Sequence, residues 1–309
     1  MDEEQKPKQD RKPRPSWLKV RLPHSEGYFR LKGLVREQHL NTVCEEARCP
    51  NIGECWGAGT ATFMILGDVC TRACKFCAVA TGRPPVYDVD EPKRVAQAIH
   101  RLNLRYAVIT SVDRDDLEDG GAFIFAETVR KTRESSPGIH VEVLIPDFRG
   151  SVDALRKVVE ARPDVLAHNV ETVPRLYPVA RAGSRYKRSV DLLRNVKPID
   201  RSTMTKSSVM LGLGERRDEV LEVMNDLREA DVDIVTLGQY LQPTRDHLPV
   251  ERFYSPDEFE AFADFGKSLG FRHVEAGPLV RSSYHAEKQA RALLNIAPPD
   301  SGTEPEQSR

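Results

Sequence analysis

From residue 60 onward the chain alternates short, β-branched, mostly apolar runs with longer stretches whose apolar residues recur at helical spacing. The runs at 62–66, 106–110, 140–145, 165–169, 206–211 and 233–237 are read as strands, with a later one at 273–276. Nearly continuous apolar runs of this length are what parallel strands buried on both faces carry. Between them, Val220, Val223, Met224 and Leu227 form one apolar helical stripe. Ser255-Pro256-Asp257-Glu258 reads as a capping box with proline at the first helical position, and Gly270 ends that helix. Ser151 is placed to cap a helix whose inner face is Val152, Leu155, Val158 and Val159.

Repeated strand–helix units predict an α/β fold with a parallel sheet and right-handed crossovers. Six units are too few for a full eightfold barrel. An open partial barrel and a doubly wound sheet both fit, and either one collects ligands at the C-terminal ends of the strands.

Composition narrows the class. The 309 residues carry 46 basic and 47 acidic side chains, and 30% of all residues are charged. Near-neutrality offers no footprint for nucleic acid or a membrane surface. No apolar run is long enough to cross a bilayer. Met1-Asp2-Glu3-Glu4 followed by a Lys/Arg/Pro-rich stretch lacks the apolar core of a signal peptide, so the cytoplasm is the expected location. Residues 1–15 are expected to be a flexible tail, as is the stretch from about 298 to 309. The expected layout is an N-terminal extension over 16–59, a core over 60–277 and a C-terminal segment over 278–309.

The cysteines carry the chemistry. All six lie between Cys44 and Cys77. Without a secretion signal, metal or redox chemistry is a better reading than disulfides. Cys70, Cys74 and Cys77 have the spacing C-x3-C-x2-C and follow the first core strand. Three thiolates on one short loop can hold three corners of a [4Fe–4S] cube and leave the fourth iron open to a small molecule. The alternative is zinc, which generally uses paired C-x2-C units or histidines at set spacing, and neither is present. Upstream, Cys44, Cys49 and Cys55 form a C-x4-C-x5-C group that invites a second cube, with zinc or inert thiols as alternatives.

C-x3-C-x2-C after the first strand of a βα-repeat chain resembles the radical S-adenosylmethionine (SAM) superfamily. The second group, read with Asn41-Thr42-Val43 before it and Trp56 after it, resembles lipoyl synthases more narrowly. So do Asp115-Asp116-Leu117-Glu118-Asp119-Gly120-Gly121-Ala122, Leu144-Ile145-Pro146-Asp147-Phe148, the run from Ala167 to Val173, Thr205-Lys206-Ser207-Ser208, Gly212-Leu213-Gly214-Glu215, and Arg281-Ser282-Ser283-Tyr284-His285-Ala286. The resemblance covers about residues 15 to 290.

That resemblance implies a partial (β/α)6 barrel with N- and C-terminal extensions covering the site. It implies two [4Fe–4S] clusters and SAM as cofactors. The expected reaction inserts two sulfur atoms at C6 and C8 of a protein-bound octanoyl group. Cys70, Cys74 and Cys77 would hold the radical-generating cluster. Cys44, Cys49, Cys55 and Ser283, with Ser282 as the alternative, would hold the sulfur-donating one. Asn169 and Glu171, ending a strand, are candidates for SAM, as are Gly212, Gly214 and Glu215; for Gly212 and Gly214 a plain tight turn is the other reading. Lys206 is either a cofactor contact or a solvated charge. Asp113, Asp115 and Asp116 either orient SAM or cap the next helix. His168 is read as a satisfied structural residue.

Expected partners are octanoylated lipoyl carrier domains, namely acyltransferase subunits of 2-oxoacid dehydrogenases and the glycine cleavage carrier protein. A donor such as flavodoxin or ferredoxin and an iron–sulfur carrier are also expected, with no nucleic acid and no membrane. Competing readings are another two-cluster radical SAM sulfur inserter and a non-enzymatic zinc or iron–sulfur module.

Overall fold

The computed structural model describes residues 13–19, 25–57 and 60–294. Of the two expected tails, residues 1–12 and 298–309 lie outside the described residues. The strands are β1 (Asn41–Thr42), β2 (Thr62–Ile65), β3 (Val69–Cys70), β4 (Ala80–Thr81), β5 (Tyr106–Ser111), β6 (His140–Leu144), β7 (Val165–Ala167), β8 (Met204–Leu211), β9 (Ile234–Gln239) and β10 (His273–Gly277).

Eight of them form one sheet in the order β1-β2-β5-β6-β7-β8-β9-β10, while β3 and β4 pair separately. All pairs in the large sheet are parallel except β1–β2. The order from β2 to β10 never reverses, which removes the doubly wound alternative, because that fold needs a switch point. Among the described residues no ladder joins β1 to β10, so the sheet curls into an open partial barrel of six strand–helix units closed by a seventh parallel strand.

Side-chain alternation sorts the two faces. Ala107, Ile109, Val141, Val143 and Leu166 point outward into a core shared with the helices Glu91–Arg101, Ala122–Ser135 and Val152–Glu160. Tyr106, Val108, Val165 and Met204 point inward and pack against Ala286 and Ala290 of the helix Ala286–Leu294. The C-terminal helix therefore fills part of the barrel interior.

Local signals explain most elements. Val220, Val223, Met224 and Leu227 are all fully buried on the helix Arg217–Glu229. Ser255 caps the helix Pro256–Ser268 in a complete capping box, and Gly270 follows at φ +84°. A cap of this kind is worth about 1 kcal/mol. Ser151 accepts from the Ala154 N–H as expected, but Val152 is exposed and Ala154 takes its place on the inner face. The strand expected over 165–169 stops at Ala167. Beyond it the chain bends through Glu171, whose φ of +67° is in the left-handed region and cannot continue a strand.

Among the described residues no helix is long and apolar enough to cross a membrane.

Candidate functional site

The loop from β3 to β4 carries the first three thiols. Cys70 ends β3, its carbonyl accepts from the Gly82 N–H at 3.0 Å, and Cys74 and Cys77 lie between the two strands. Segments that follow the barrel strands brace this loop from above. The Asp113 carbonyl after β5 accepts from the Thr71 N–H at 3.0 Å and its hydroxyl at 2.9 Å. The Ala180 carbonyl after β7 accepts from the Lys75 N–H at 2.9 Å. After β9, the Leu248 N–H donates to the Lys75 carbonyl at 2.9 Å, and the His247 ring lies 2.8 Å from the Cys77 carbonyl. The loop thus sits at the C-terminal mouth of the barrel.

Arg72, inside the loop, is the hub that fixes it. Burial opposes its charge, yet the carboxylates of Asp115 and Asp147, each at 2.7 Å, and Asp113 at 3.3 Å hold the guanidinium protonated. The same contact keeps the Asp147 carboxyl well below the usual carboxylate range although it is fully buried. The backbone N–H groups of Arg72 and Asp113 point at the Cys70 sulfur, at 3.4 and 3.3 Å.

Burial pushes all three thiols up, Cys74 to about 12 and Cys77 to about 11, with Cys70 raised also by Asp113. Protons leave such thiols only when a cation takes their place, which is the condition of a metal ligand.

The second group lies on two short helices. Cys44 is in Val43–Glu46, capped by Thr42, and Cys55 is in Ile52–Gly57, with Cys49 in the turn between them. The Cys49 N–H donates to the Cys44 carbonyl at 3.0 Å, and Cys55 feels both of the other sulfurs. Burial again raises them, Cys44 to about 11 and Cys55 to about 12. For Cys49 the raising is opposed by the Asn51 backbone N–H and, less, by the Arg281 guanidinium. Among the described residues no three His, Cys, Asp or Glu side chains are gathered for a single metal ion, which draws its sulfurs to within about 3.8 Å of each other when tetrahedral.

Residues 281–286 lie across the second group. The Asn51 side chain donates to the Leu279 carbonyl at 2.7 Å. Tyr284 donates to Glu54 at 3.1 Å, and the His285 ring is 2.9 Å from the same carboxylate. The Ser283 hydroxyl accepts from that of Thr62 at 3.0 Å, and Thr62 also stabilises the Cys44 thiolate.

The remaining expected contacts divide. Asn169 and Glu171 face the first group: the Asn169 side chain donates to Glu171 at 3.1 Å, and the Glu171 charge reaches both Cys74 and Cys77. Burial raises the Glu171 carboxyl. The Asn169 side-chain amide oxygen is buried with no protein partner.

Gly212 is instead a packing glycine. Its φ is +106°, and a Cβ there would meet the Gln239 amide at 2.2 Å and the Arg252 carbonyl at 2.6 Å. The Glu215 carboxylate accepts from the N–H groups of Gly212 and Leu213 at 2.6 and 2.9 Å, closing the turn on itself. Gly214, at φ +104°, belongs to the same turn. Lys206 is not a solvated charge: it is fully buried in the barrel, 2.8 Å from Glu142, which also accepts from the Tyr106 hydroxyl at 2.6 Å.

Asp113 and Asp115 bind Arg72, and Asp116 pairs with Arg114 at 2.8 Å; Asp119 caps the next helix through the Gly121 and Phe123 N–H groups. His168 is satisfied by the Ile145 carbonyl and the Ser189 hydroxyl, at 2.8 and 2.9 Å. Sequence reading missed Arg72, Arg181, Thr62 and Arg281. Only Arg72 left a signal, as a cation inside the cysteine loop of a chain with an aspartate-rich segment downstream.

Comparison with known proteins agrees with this geometry. The model of the radical SAM superfamily matches residues 64–227, and that of the N-terminal domain of lipoyl synthase matches residues 1–49. A lipoyl synthase of Rubrobacter xylanophilus is 58% identical over 89% of this chain and 86% of its own. A mitochondrial lipoyl synthase of Nematostella vectensis is 54% identical over 90% and 95%. Among solved structures, methylornithine synthase superposes with a TM-score of 0.51 at 15% identity, covering 91% of this chain and 86% of that one. Coproporphyrinogen III oxidase of Escherichia coli does so with 0.52 at 12%, over 67% and 52%. These two share the fold alone. Identity above one half along nine-tenths of the sequence, with the superfamily model spanning the barrel, goes further: the chain belongs to the lipoyl synthase family of radical SAM enzymes.

Proposed function

We propose that this chain inserts two sulfur atoms into a carrier-bound octanoyl group, with each cysteine triad holding one [4Fe–4S] cluster. The observation that carries the reading is the pair of separate, largely enclosed triads of free thiols, Cys70/Cys74/Cys77 at the barrel mouth and Cys44/Cys49/Cys55 beneath residues 281–286. The donor set fits, since soft thiolates are the usual ligands of such clusters. When bound, the clusters supply the electron that splits SAM into methionine and a 5′-deoxyadenosyl radical, and the sulfur that replaces hydrogen at C6 and C8. An unactivated C–H bond has no acidic proton, so acid–base side chains alone cannot open it.

The chain's own residues position and shield. Cys70, Cys74 and Cys77 bring three ligands, which leaves one corner for SAM. Asn169, with its unpartnered side-chain amide oxygen, and Glu171, held in a left-handed conformation, are assigned to SAM's polar groups. Arg181, buried beside Cys74, supplies positive charge there. Ser283 rather than Ser282 is assigned as fourth ligand of the second cluster, because its oxygen is the one tied to Thr62 beside Cys44. Lys206, Gly212, Gly214 and Glu215 are assigned to holding the barrel and its turn. The C-terminal helix closes the barrel at the N-terminal ends of β5, β7 and β8, the end opposite the first triad.

Substrates are the octanoylated carrier domains of 2-oxoacid dehydrogenases and of glycine cleavage. Reduction is assigned to a flavodoxin or ferredoxin, cluster renewal to an iron–sulfur carrier, and the cellular place to the cytoplasm, in keeping with bacterial relatives.

The test is anaerobic reconstitution with iron and sulfide, followed by SAM, reductant and an octanoylated carrier peptide. About eight irons per chain and a lipoyl product with one 5′-deoxyadenosine per sulfur inserted are expected. Competent SAM cleavage without lipoyl product would sink the assignment.

A further inference from the structure

Outside the barrel, beside the first thiol group, lies a groove of about 460 Å³ bordered by the helices Val152–Glu160 and Tyr186–Arg194. Four cations line it, Arg149, Arg185, Lys187 and Arg188, against the one carboxylate of Asp191. Lys187 is paired with Asp191 at 2.5 Å and Arg188 with Asp147 at 2.7 Å. Arg149 and Arg185 are exposed and have no ion-pair partner among the described residues. Arg149 is also held at φ +54°, next to Phe148 at +44°. Two adjacent non-glycine residues in the left-handed region are uncommon. The N-terminal ends of both helices add positive potential.

The groove is continuous with the cluster loop. Arg188 binds one oxygen of the fully buried Asp147, and Arg72 binds the other at 2.7 Å. Arg72 in turn donates its backbone N–H to the Cys70 sulfur at 3.4 Å and its side chain to Ser184 at 3.2 Å. One carboxylate therefore separates the groove's cation from the residue that braces the first triad. No residue of the second triad or of 281–286 borders the groove.

We propose that this groove is the docking surface of an acidic one-electron carrier protein that reduces the cluster at Cys70, Cys74 and Cys77. The inference rests on the reading of that triad as a reducible cluster. Unpaired cations steer an anionic partner and lose that effect as salt is added. The position favours a reductant over the octanoylated carrier domain, since the groove opens on the outer helical layer behind Arg72 and not on the interior.

The test uses the reconstituted full-length chain and its Arg149→Glu/Arg185→Glu variant. Formation of 5′-deoxyadenosine from SAM is driven either by reduced flavodoxin or by dithionite, which needs no docking site. Expected is a fall of at least about tenfold in flavodoxin-driven kcat/KM at low salt, with a flatter salt dependence, while the dithionite-driven rate is unchanged. If charge reversal also lowers the dithionite rate, the Arg149→Gln/Arg185→Gln variant is judged by the same ratio of the two rates. An unchanged ratio overturns the proposal. So does weaker binding of an octanoylated carrier domain with flavodoxin-driven cleavage intact, which would make the groove a carrier site. Absence of dithionite-driven cleavage in the unaltered chain would instead sink the functional reading itself, and the docking proposal with it.

Discussion

The Thr62 hydroxyl donates to the Ser283 hydroxyl at 3.0 Å, joining residues 221 positions apart. Thr62 is buried on β2 and also supports the Cys44 thiolate through its backbone N–H, so one residue is tied to the first thiol of the second triad and to the serine assigned to the same cluster. A hydrogen bond to a charged acceptor contributes about 1.5–3 kcal/mol. Thr62→Val keeps the shape and removes the donor. Iron of the second cluster is expected to pass to a chelator about tenfold faster, with SAM cleavage intact and Thr62→Ser restoring the slow rate. An unaltered release rate would show that the contact does not hold the serine.

Arg72→Lys tests the hub of the first triad. A lysine ammonium cannot fork across three carboxylates as the guanidinium does. Breaking this buried network is expected to cost about 3–5 kcal/mol. Iron content is expected to drop from about eight to about four per chain, with SAM cleavage lost. Retention of both clusters would contradict the role given to Arg72.

Acid sensitivity is expected from His168. Burial, together with Arg181 and against the Ile145 hydrogen bond, lowers its pKa from 6.5 to about 4. The folded chain keeps this imidazole neutral while the unfolded chain takes up a proton below 6.5, so stability falls as pH drops from 6.5 towards 4. Over the full window this is about 3 kcal/mol. Pulse proteolysis of the reconstituted protein at pH 7 and pH 5 measures it against His168→Gln. An equal acid loss in both proteins would remove His168 as the cause.

Gly212→Ala and Gly214→Ala separate strain from crowding. Both sites have φ above +100°, but only at Gly212 would a Cβ strike an amide and a carbonyl, whereas at Gly214 the nearest atom is the flexible Glu251 Cγ at 3.4 Å. Urea denaturation is expected to show a loss of about 1 kcal/mol at Gly214 and of 3 kcal/mol or more, roughly, at Gly212. Equal losses would rule out the crowding argument.

Hydrophobic period and capping chemistry act locally, which is why the strands at 62–66, 140–145 and 273–276 and the caps at Ser151 and Ser255 were legible in the sequence and match the fold closely. The two cysteine groups were legible as local spacings, Cys70, Cys74 and Cys77 on one loop and Cys44, Cys49 and Cys55 across two short helices and the turn between them. What escaped was long-range pairing. Nothing near Lys206 announces Glu142 as its partner, and the aspartate-rich segment does not tell which of its carboxylates meet Arg72. Glu215 read as a ligand because its use, closing its own turn through backbone N–H groups, depends on a conformation rather than a motif. Val152 read as core for want of one turn's precision in the helix phase.

The contacts from Glu54 to Tyr284 and His285, and from Thr62 to Ser283, have a consequence for biosynthesis. The three thiols of the second triad leave the ribosome early, but the segment that roofs them is translated more than two hundred residues later. That pocket is roofed only once residues 281–286 have been made and have folded back, so any premature stop ahead of codon 281 yields a barrel whose second triad lies uncovered.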